Sequence, residues 1–334
     1  MASQMGEIWT DRRMRWGNFG HLSLHDLAAD LKIKIQVICF SFAEAVSKMP
    51  VDIEHINSEL PIGIFDSGVG GLTVYRALHY RLPNEHFVYL GDTARVPYGT
   101  KSLATVEKYA LENAQFLADQ GIKVLVVACN TASALALPSI RARIGIDVVG
   151  VIGPGGRRAI DVADCEAPKI GVIATEATVK SGAYVEAIHR SCGEATVFQT
   201  ACPLFVPLAE EGWANEAETA SIAERYLADM REYAPDALVL GCTHYPILRD
   251  VIQRTVGANV KLVDSGEATA NEVADLLVSG GLASERTIEG ARSLCDDLDH
   301  FFVTDAAERF ASVAERFLGV KPAKLEAIEV PALS

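Results

Sequence analysis

Two cysteines occupy equivalent positions in two similar stretches of this sequence. Cys129 follows the apolar run 124–128, and Cys242 follows the apolar run 237–240 and one glycine. In both stretches the next residues carry an amide or hydroxyl group, and a predicted helix follows, with Pro246 in the first turn of the second one. A thiol has a pKa of about 8.5, which a helix N-terminus or a nearby cation lowers. Both cysteines are therefore candidate acids or bases.

A pair of thiols facing one carbon atom from opposite sides can invert its configuration. One thiolate removes a proton from one face, and the opposite thiol returns a proton to the other face, without a covalent intermediate. Racemisation by two bases is the reaction that this pair suits. A single cysteine at a strand end is more often core packing, and we interpret Cys165, Cys192, Cys202 and Cys295 in that way.

His244 offers a rival chemistry, because it follows Cys242 by two residues. A Cys–His pair is the usual arrangement for acyl transfer. That interpretation explains Cys242 and leaves Cys129 without a role.

The elements that must position these residues begin at Pro61, where short β-branched runs alternate with helical stretches. This alternation is typical of parallel sheets with helices on both faces. Gly63 matches Gly171 and Val124 matches Ala237, so the pattern repeats at an offset of 108 to 113 residues. The sequence predicts an α/β fold of two similar parallel-sheet lobes related by a pseudo-twofold axis, with the active site in the cleft between them. The predicted strands are 61–66, 86–90, 123–128 and 147–151 in the first set, and 169–174, 195–199, 237–241 and 259–263 in the second.

The domain boundaries follow the same pattern. We predict that lobe 1 comprises 61–153 together with a C-terminal helix region at about 267–320, and that lobe 2 comprises 154–266. Residues 1–60 lack the alternation and are predicted to be an N-terminal extension, partly ordered at best. A regulatory segment, or a true start at Met49, are the alternatives for this stretch.

Composition excludes several classes of protein. The chain of 334 residues has 30 basic and 44 acidic residues, a net charge of −14, which disfavours direct nucleic-acid binding. No apolar run approaches the roughly 18–20 residues that span a membrane. The seven cysteines are an odd number without a C-x-x-C pair, which favours free thiols and disfavours a metal site. We therefore expect a cytoplasmic protein without a membrane partner.

Two segments that follow the first strands supply further polar groups. D-S-G-V-G-G-L-T (66–73) is predicted to form a tight turn that brings Asp66 and Ser67 to the cleft, with backbone N–H groups able to hold a carboxylate. A dinucleotide site is disfavoured there, because Thr73 occupies the third glycine position of G-x-G-x-x-G. Y-L-G-D-T-A-R-V-P-Y-G-T (89–100) is predicted to be a loop that offers Tyr98 and backbone donors to a ligand.

Five stretches together resemble the glutamate racemases, over about residues 61–318. This resemblance implies a cofactor-independent, usually dimeric enzyme that makes D-glutamate for peptidoglycan from L-glutamate. The G-C-T-H-Y-P and E-E-G stretches are the more selective ones within the aspartate/glutamate racemase superfamily. The five are F-D-S-G-V-G-G-L-T, Y-L-G-D-T-A-R-V-P-Y-G, A-C-N-T-A-S, L-F-V-P-L-A-E-E-G and L-G-C-T-H-Y-P.

The resemblance also implies a role for each matching residue. Cys129 and Cys242 would be the two proton donors and acceptors, with Cys242 acting on L-glutamate and Cys129 on D-glutamate. Asp66 and His244 would assist the thiols, with Glu210, rather than Glu211, near the second one. The implied substrate-binding residues are Asp66, Ser67, Tyr98, Gly99, Asn130, Thr131, Thr243 and His244.

The sequence departs from the family pattern at two places and leaves two alternatives open. Gly153 stands where family members commonly have glutamate, and T-E-A-T (175–178) replaces a Thr-x-Gly-Thr turn. The alternatives are a racemase of another amino acid, such as aspartate, and a non-catalytic binding protein of the gyrase-inhibitor type. Some relatives respond to a cell-wall precursor, and no residue of this chain predicts or excludes such an activator.

Overall fold

The computed structural model describes residues 57–288 and 290–333. The predicted N-terminal extension lies outside the described residues, apart from 57–60. Within the described residues no helix has the length and apolar character needed to cross a membrane.

The first sheet contains six strands, all paired in parallel. Asp66 lies opposite Gly91 and Phe65 opposite Val127, so three central strands end at the same edge of this sheet. The spatial order is β10-β9-β2-β1-β3-β4, with β1 (Ile62–Asp66), β2 (Phe87–Gly91), β3 (Val124–Val127), β4 (Asp147–Gly150), β9 (His300–Val303) and β10 (Leu325–Ala327).

The second sheet contains four parallel strands whose order repeats that of the first sheet. β5 (Lys169–Ala174) lies between β6 (Thr196–Ala201) and β7 (Ala237–Gly241), and β8 (Lys261–Asp264) is next to β7. The order β6-β5-β7-β8 therefore corresponds to β2-β1-β3-β4. These sheets confirm the predicted α/β class with two parallel-sheet regions, while the pseudo-twofold axis stays a prediction.

Two short strands near the C-terminus were not predicted. β9 falls within the stretch at about 267–320 that the sequence assigned to helix, and β10 follows it; both extend the edge of the first sheet. A run of three or four residues is too short to show the alternation that reveals a strand. The predicted domain boundaries stay a prediction.

Helices cover both sheets and begin close to the strand ends that matter for the site. One helix begins immediately after Cys129, and Asp264 caps the helix that begins at Ser265 by accepting a hydrogen bond from the Gly266 N–H at 2.7 Å. The helices are α1 (Leu72–Arg81), α2 (Leu103–Asp119), α3 (Asn130–Leu135), α4 (Leu137–Arg143), α5 (Ile152–Ala163), α6 (Glu176–Ser181), α7 (Ala183–Ser191), α8 (Phe205–Glu210), α9 (Ala217–Tyr226), α10 (Ala228–Tyr233), α11 (Arg249–Val256), α12 (Ser265–Ser279) and α13 (Ala307–Leu318).

Candidate active site

Both predicted cysteines line one cavity of about 370 Å³. Cys129 and Cys242 are 5% and 6% exposed, so each thiol lies in a nearly closed environment. The lining comes from segments that follow β1, β2, β3, β5, β6 and β7, at the carboxyl ends of strands in both sheets, where open α/β sheets bind ligands. The lining residues that bear on the chemistry are Ser67, Gly68, Tyr98, Gly99, Cys129, Asn130, Thr131, Thr175, Glu210, Cys242, Thr243 and His244.

The neighbours of Cys129 are a hydroxyl group and a buried carboxylate. Its Sγ donates a hydrogen bond to Ser67 Oγ at 3.4 Å. Burial raises the pKa of the thiol to about 12, and the charge of Asp66 adds to this effect, while the Ser67 hydrogen bond opposes it. Cys129 is therefore a protonated thiol at neutral pH.

Cys242 has a different set of partners, which form a chain of three side chains. Its Sγ lies 3.8 Å from His244 Nδ1, and His244 Nε2 lies 3.1 Å from Glu210 Oε1. Burial alone would lower the pKa of His244, but the hydrogen bonds with Cys242 and Glu210 outweigh it and raise the pKa to about 10. His244 is therefore an imidazolium at neutral pH, able to donate one hydrogen bond to Cys242 and another to Glu210.

The side chains of Glu210 and Glu211 have different surroundings. Burial acts to raise the pKa of Glu210, but the hydrogen bonds with His244 and Arg309 outweigh burial and hold it below the ordinary value. The Glu211 side chain is 56% exposed and does not line the cavity. Of the two acids, Glu210 is the one that contacts the Cys242 half of the site.

Asp66 lies behind the cavity wall. It is fully buried, and its Oδ2 accepts a hydrogen bond from the Gly68 N–H at 2.9 Å. Burial raises the pKa of Asp66, and the charge of His244 partly offsets that rise. Asp66 is not among the residues that line the cavity, and it acts on Cys129 through its charge.

The glycine-rich turn after β1 packs closely against another segment of the chain. A Cβ atom on Gly70 would lie 2.2 Å from Thr243 Oγ1 and 2.5 Å from the His244 ring. Thr73 Oγ1 donates a hydrogen bond to the Thr243 carbonyl at 2.8 Å. The turn therefore packs directly against the segment that carries Cys242, and this contact accounts for a glycine at position 70.

Asn130 has a fixed orientation and an unused donor. Its Oδ1 accepts a hydrogen bond from the Tyr184 hydroxyl at 2.7 Å, and Tyr184 is fully buried. Among the described residues, the Asn130 Nδ2 group has no hydrogen-bond partner. A buried amide N–H without a partner is costly, so this group is well suited to a ligand oxygen.

Thr131 belongs to a cluster of hydroxyl groups that sequence reasoning missed. Its Oγ1 lies 3.0 Å from Thr175 Oγ1 and 3.3 Å from Thr178 Oγ1. Thr175 also lines the cavity and is the equivalent of Ser67 in the 108-residue repeat. The repeat itself contained the signal that would have identified it.

Tyr98 lines the cavity, but its hydroxyl group is already occupied. It donates a hydrogen bond to Asp92 Oδ2 and accepts one from Asn113 Nδ2 at 3.1 Å. Asp92 also accepts a hydrogen bond from Arg95 Nε at 2.8 Å, and Arg95 pairs with Glu112. This network, which the sequence did not reveal, holds the loop 92–100 in place, so the loop can offer a ligand the backbone around Gly99 rather than the Tyr98 phenol.

We expect the ionised His244 to make stability depend on pH. Its pKa is raised from the ordinary value to about 10, so its contribution to folding is fully present below a pH of about 6.5 and is lost as the pH rises through 10. His244→Asn should therefore flatten the decline in unfolding free energy across this range, by about 4 kcal/mol. Urea unfolding of both proteins at pH 6, 8 and 10 measures this decline. An equal decline of unfolding free energy with pH in the two proteins would contradict the prediction.

No group of three His, Cys, Asp or Glu side chains in 57–288 and 290–333 is arranged to hold a metal ion. Besides the two thiols and the carboxylates of Glu176 and Glu210, the polar groups at the cavity are hydroxyls, an amide, backbone N–H groups and one imidazolium. Such groups suit a small molecule that carries carboxylates.

Comparison with known proteins gives concordant matches. A family model described as Asp/Glu/Hydantoin racemase matches residues 62–273. A glutamate racemase of Geobacter metallireducens is 52% identical over 260 residues, which is 78% of this chain and 93% of that protein. The structure of a glutamate racemase isoform from Bacillus anthracis matches with a TM-score of 0.77 and 35% identity, covering 83% of this chain and 100% of the other. That of a glutamate racemase from Francisella tularensis in complex with D-glutamate matches with a TM-score of 0.74 and 38% identity, over the same shares.

Proposed function

This chain belongs to the Asp/Glu/Hydantoin racemase family, and we propose that it is a glutamate racemase that uses Cys129 and Cys242 as its two bases. The observation that carries this proposal is that both thiols line one small cavity, each at the end of a buried strand. Similarity to named glutamate racemases, including one solved with D-glutamate, supports the choice of substrate. The enzyme is thus an isomerase.

The proton balance of the proposed reaction is simple. Starting from L-glutamate, the Cys242 thiolate takes the α-proton, and the electron pair is delocalised into the α-carboxylate. The Cys129 thiol then gives its proton to the opposite face of the α-carbon, which yields D-glutamate. The imidazolium of His244 compensates the charge on Cys242, while the high pKa of Cys129 keeps a proton ready for delivery. The reverse direction exchanges the two roles.

The remaining polar groups would hold the substrate in line with the thiols. Ser67, Asn130, Thr131 and Thr243 present hydroxyl or amide groups, and the backbone around Gly99 adds N–H donors. Holding both carboxylates in this way fixes the α-carbon, which contributes to catalysis through orientation. Asp66 would act from behind Ser67, through its charge on Cys129.

Cell-wall synthesis is the proposed role, because D-glutamate is a building block of peptidoglycan. We also propose that the enzyme works as a homodimer without a cofactor. The cytoplasmic location stays a prediction from the sequence, which neither predicts nor excludes an activator.

Incubation with L-glutamate or L-aspartate in deuterated water tests the proposal. We expect deuterium at the α-carbon and loss of chirality with glutamate. The double variant Cys129→Ser plus Cys242→Ser is the control and should show neither. Exchange on aspartate alone would mean that the substrate is wrong, and exchange on neither amino acid would favour a binding protein.

Tyr184→Phe should weaken substrate binding more than catalysis. The change removes the hydrogen bond that orients the Asn130 amide and leaves the size of the side chain nearly unchanged. Because such a bond is worth about 0.5–1.5 kcal/mol, KM for glutamate should rise about three- to tenfold, with kcat changed less than about twofold. Steady-state kinetics measure both constants, and an unchanged KM would show that the orientation of Asn130 does not matter.

A further inference from the structure

Helix α13 contacts the Glu210–His244 pair through three of its side chains. Arg309 Nη2 lies 3.4 Å from Glu210 Oε2, and Arg316 Nη1 donates a hydrogen bond to the Glu210 carbonyl oxygen. The Phe317 ring meets the His244 ring edge-on, with 6.0 Å between the ring centroids. Glu210 is thus held at its carboxylate and at its main chain by the same helix.

The same helix is anchored to the first sheet. Phe310 and Val313 are buried, and Phe310 packs against Tyr89 of β2. The Phe317 carbonyl accepts a hydrogen bond from Arg76 of α1 at 3.0 Å. Arg309 and Arg316 are seven residues apart, about two helical turns, so both project from one face of α13. α13 therefore connects the first sheet to Glu210 and His244, which follow strands of the second sheet.

The two oxygens of the Glu210 carboxylate have different partners. Oε1 faces His244 and Oε2 faces Arg309. The terminal torsion of a glutamate side chain is soft, so the carboxylate can rotate away from His244 when Oε2 is not held. Rotation of the Glu210 carboxylate in this way removes the hydrogen bond that orients the His244 ring beside Cys242.

Resting on the proposed function, we propose that α13 is a positioning helix for the Cys242 half of the reaction, with Arg309 as its principal positioning residue. Cys129 has separate neighbours, namely Ser67 and Asp66. Within residues 57–288 and 290–333, no hydrogen bond or ion pair joins α13 to Cys129, Ser67 or Asp66. Loss of Arg309 should therefore affect the reaction at Cys242 more than the reaction at Cys129.

Racemisation rates alone do not separate the two thiols, because the equilibrium between enantiomers fixes the ratio of kcat/KM in the two directions. Elimination from 3-chloroglutamate does separate them. One thiolate takes the α-proton, the electron pair of that C–H bond forms the Cα–Cβ double bond, and chloride leaves from Cβ. The enamine then tautomerises and is hydrolysed by water to 2-oxoglutarate and ammonium. Each α-enantiomer therefore reports on one thiol.

The experiment compares Arg309→Gln, Arg309→Lys and Glu211→Gln with the unchanged protein. Arg309→Gln should slow chloride release about 5- to 20-fold for the enantiomer whose elimination Cys242→Ser abolishes, and change the other enantiomer less than about twofold. Arg309→Lys should restore most of the rate. Glu211→Gln is the matched control, because Glu211 contacts Arg309 at 3.6 Å, is exposed and does not touch His244, so both rates should stay unchanged.

The outcomes distinguish the inference from the proposed function. Equal slowing of both enantiomers would assign Arg309 a general structural role and overturn the inference, and so would unchanged rates for both. Arg309 is 66% exposed, so its replacement should leave the urea unfolding midpoint unchanged. If the unchanged protein neither racemises glutamate nor releases chloride from either enantiomer, the proposed function itself fails.

Discussion

Replacing either Cys129 or Cys242 by serine is expected to reduce the rate of glutamate racemisation by about 10³-fold or more. A serine hydroxyl is nearly the same size as a thiol but holds its proton far more tightly, so it cannot exchange a proton with carbon at neutral pH. Both positions line the same cavity, and the proposed reaction needs one proton transfer on each face. The loss should therefore be of similar size for both variants, measured as optical rotation of glutamate over time.

The two serine variants should differ in their half-reactions. Each retains one thiol, so each should still release chloride from one enantiomer of 3-chloroglutamate and not from the other. Cys202→Ser is the matched control: Cys202 is buried and does not line the cavity, and its variant should racemise glutamate at a nearly normal rate. Near-normal turnover in either cavity variant would disprove the two-thiol scheme.

The sequence predicted the features that leave a local pattern. Buried parallel strands leave continuous apolar runs, and the eight predicted strands lie within two residues of β1 to β8 at either end. The repeat predicted two sheets of the same kind, and the four strands of the second sheet have the same order as four of the six strands of the first. Cys129 and Cys242 stand out in the sequence because they occupy equivalent strand ends in the repeat and are followed by amide or hydroxyl side chains.

Contacts between residues distant in the sequence left no such pattern. The Tyr184 hydroxyl binds Asn130 across 54 positions, and Arg309 reaches Glu210 across 99. The engagement of Tyr98 with Asp92 is local, yet it was missed as well, because spacing does not indicate which way a phenol points. Such partners depend on how helices pack on the sheets, which periodicity does not determine.

The last prediction concerns a buried ion pair far from the thiols. Lys123 Nζ lies 2.5 Å from Glu85 Oε2, and the two side chains are 1% and 4% exposed. Lys123 also donates hydrogen bonds to the carbonyl oxygens of Ser58 and Leu282, at 2.6 and 2.8 Å. One ammonium group thus connects the start of β3 to three other segments of the chain.

Lys123→Met should lower the free energy of unfolding by about 3–5 kcal/mol, because it leaves the Glu85 carboxylate buried without its counter-charge. Adding Glu85→Gln removes that charge and should recover about half of the loss, the rest reflecting the lost hydrogen bonds from Lys123 to the carbonyls of Ser58 and Leu282. Lys321→Met is the control: that side chain is 59% exposed, and its loss should change stability by less than about 0.5 kcal/mol. Urea unfolding of the four proteins measures these differences. If the single and double variants were equally unstable, the hydrogen bonds to the carbonyls, rather than the charge of Glu85, would account for the cost.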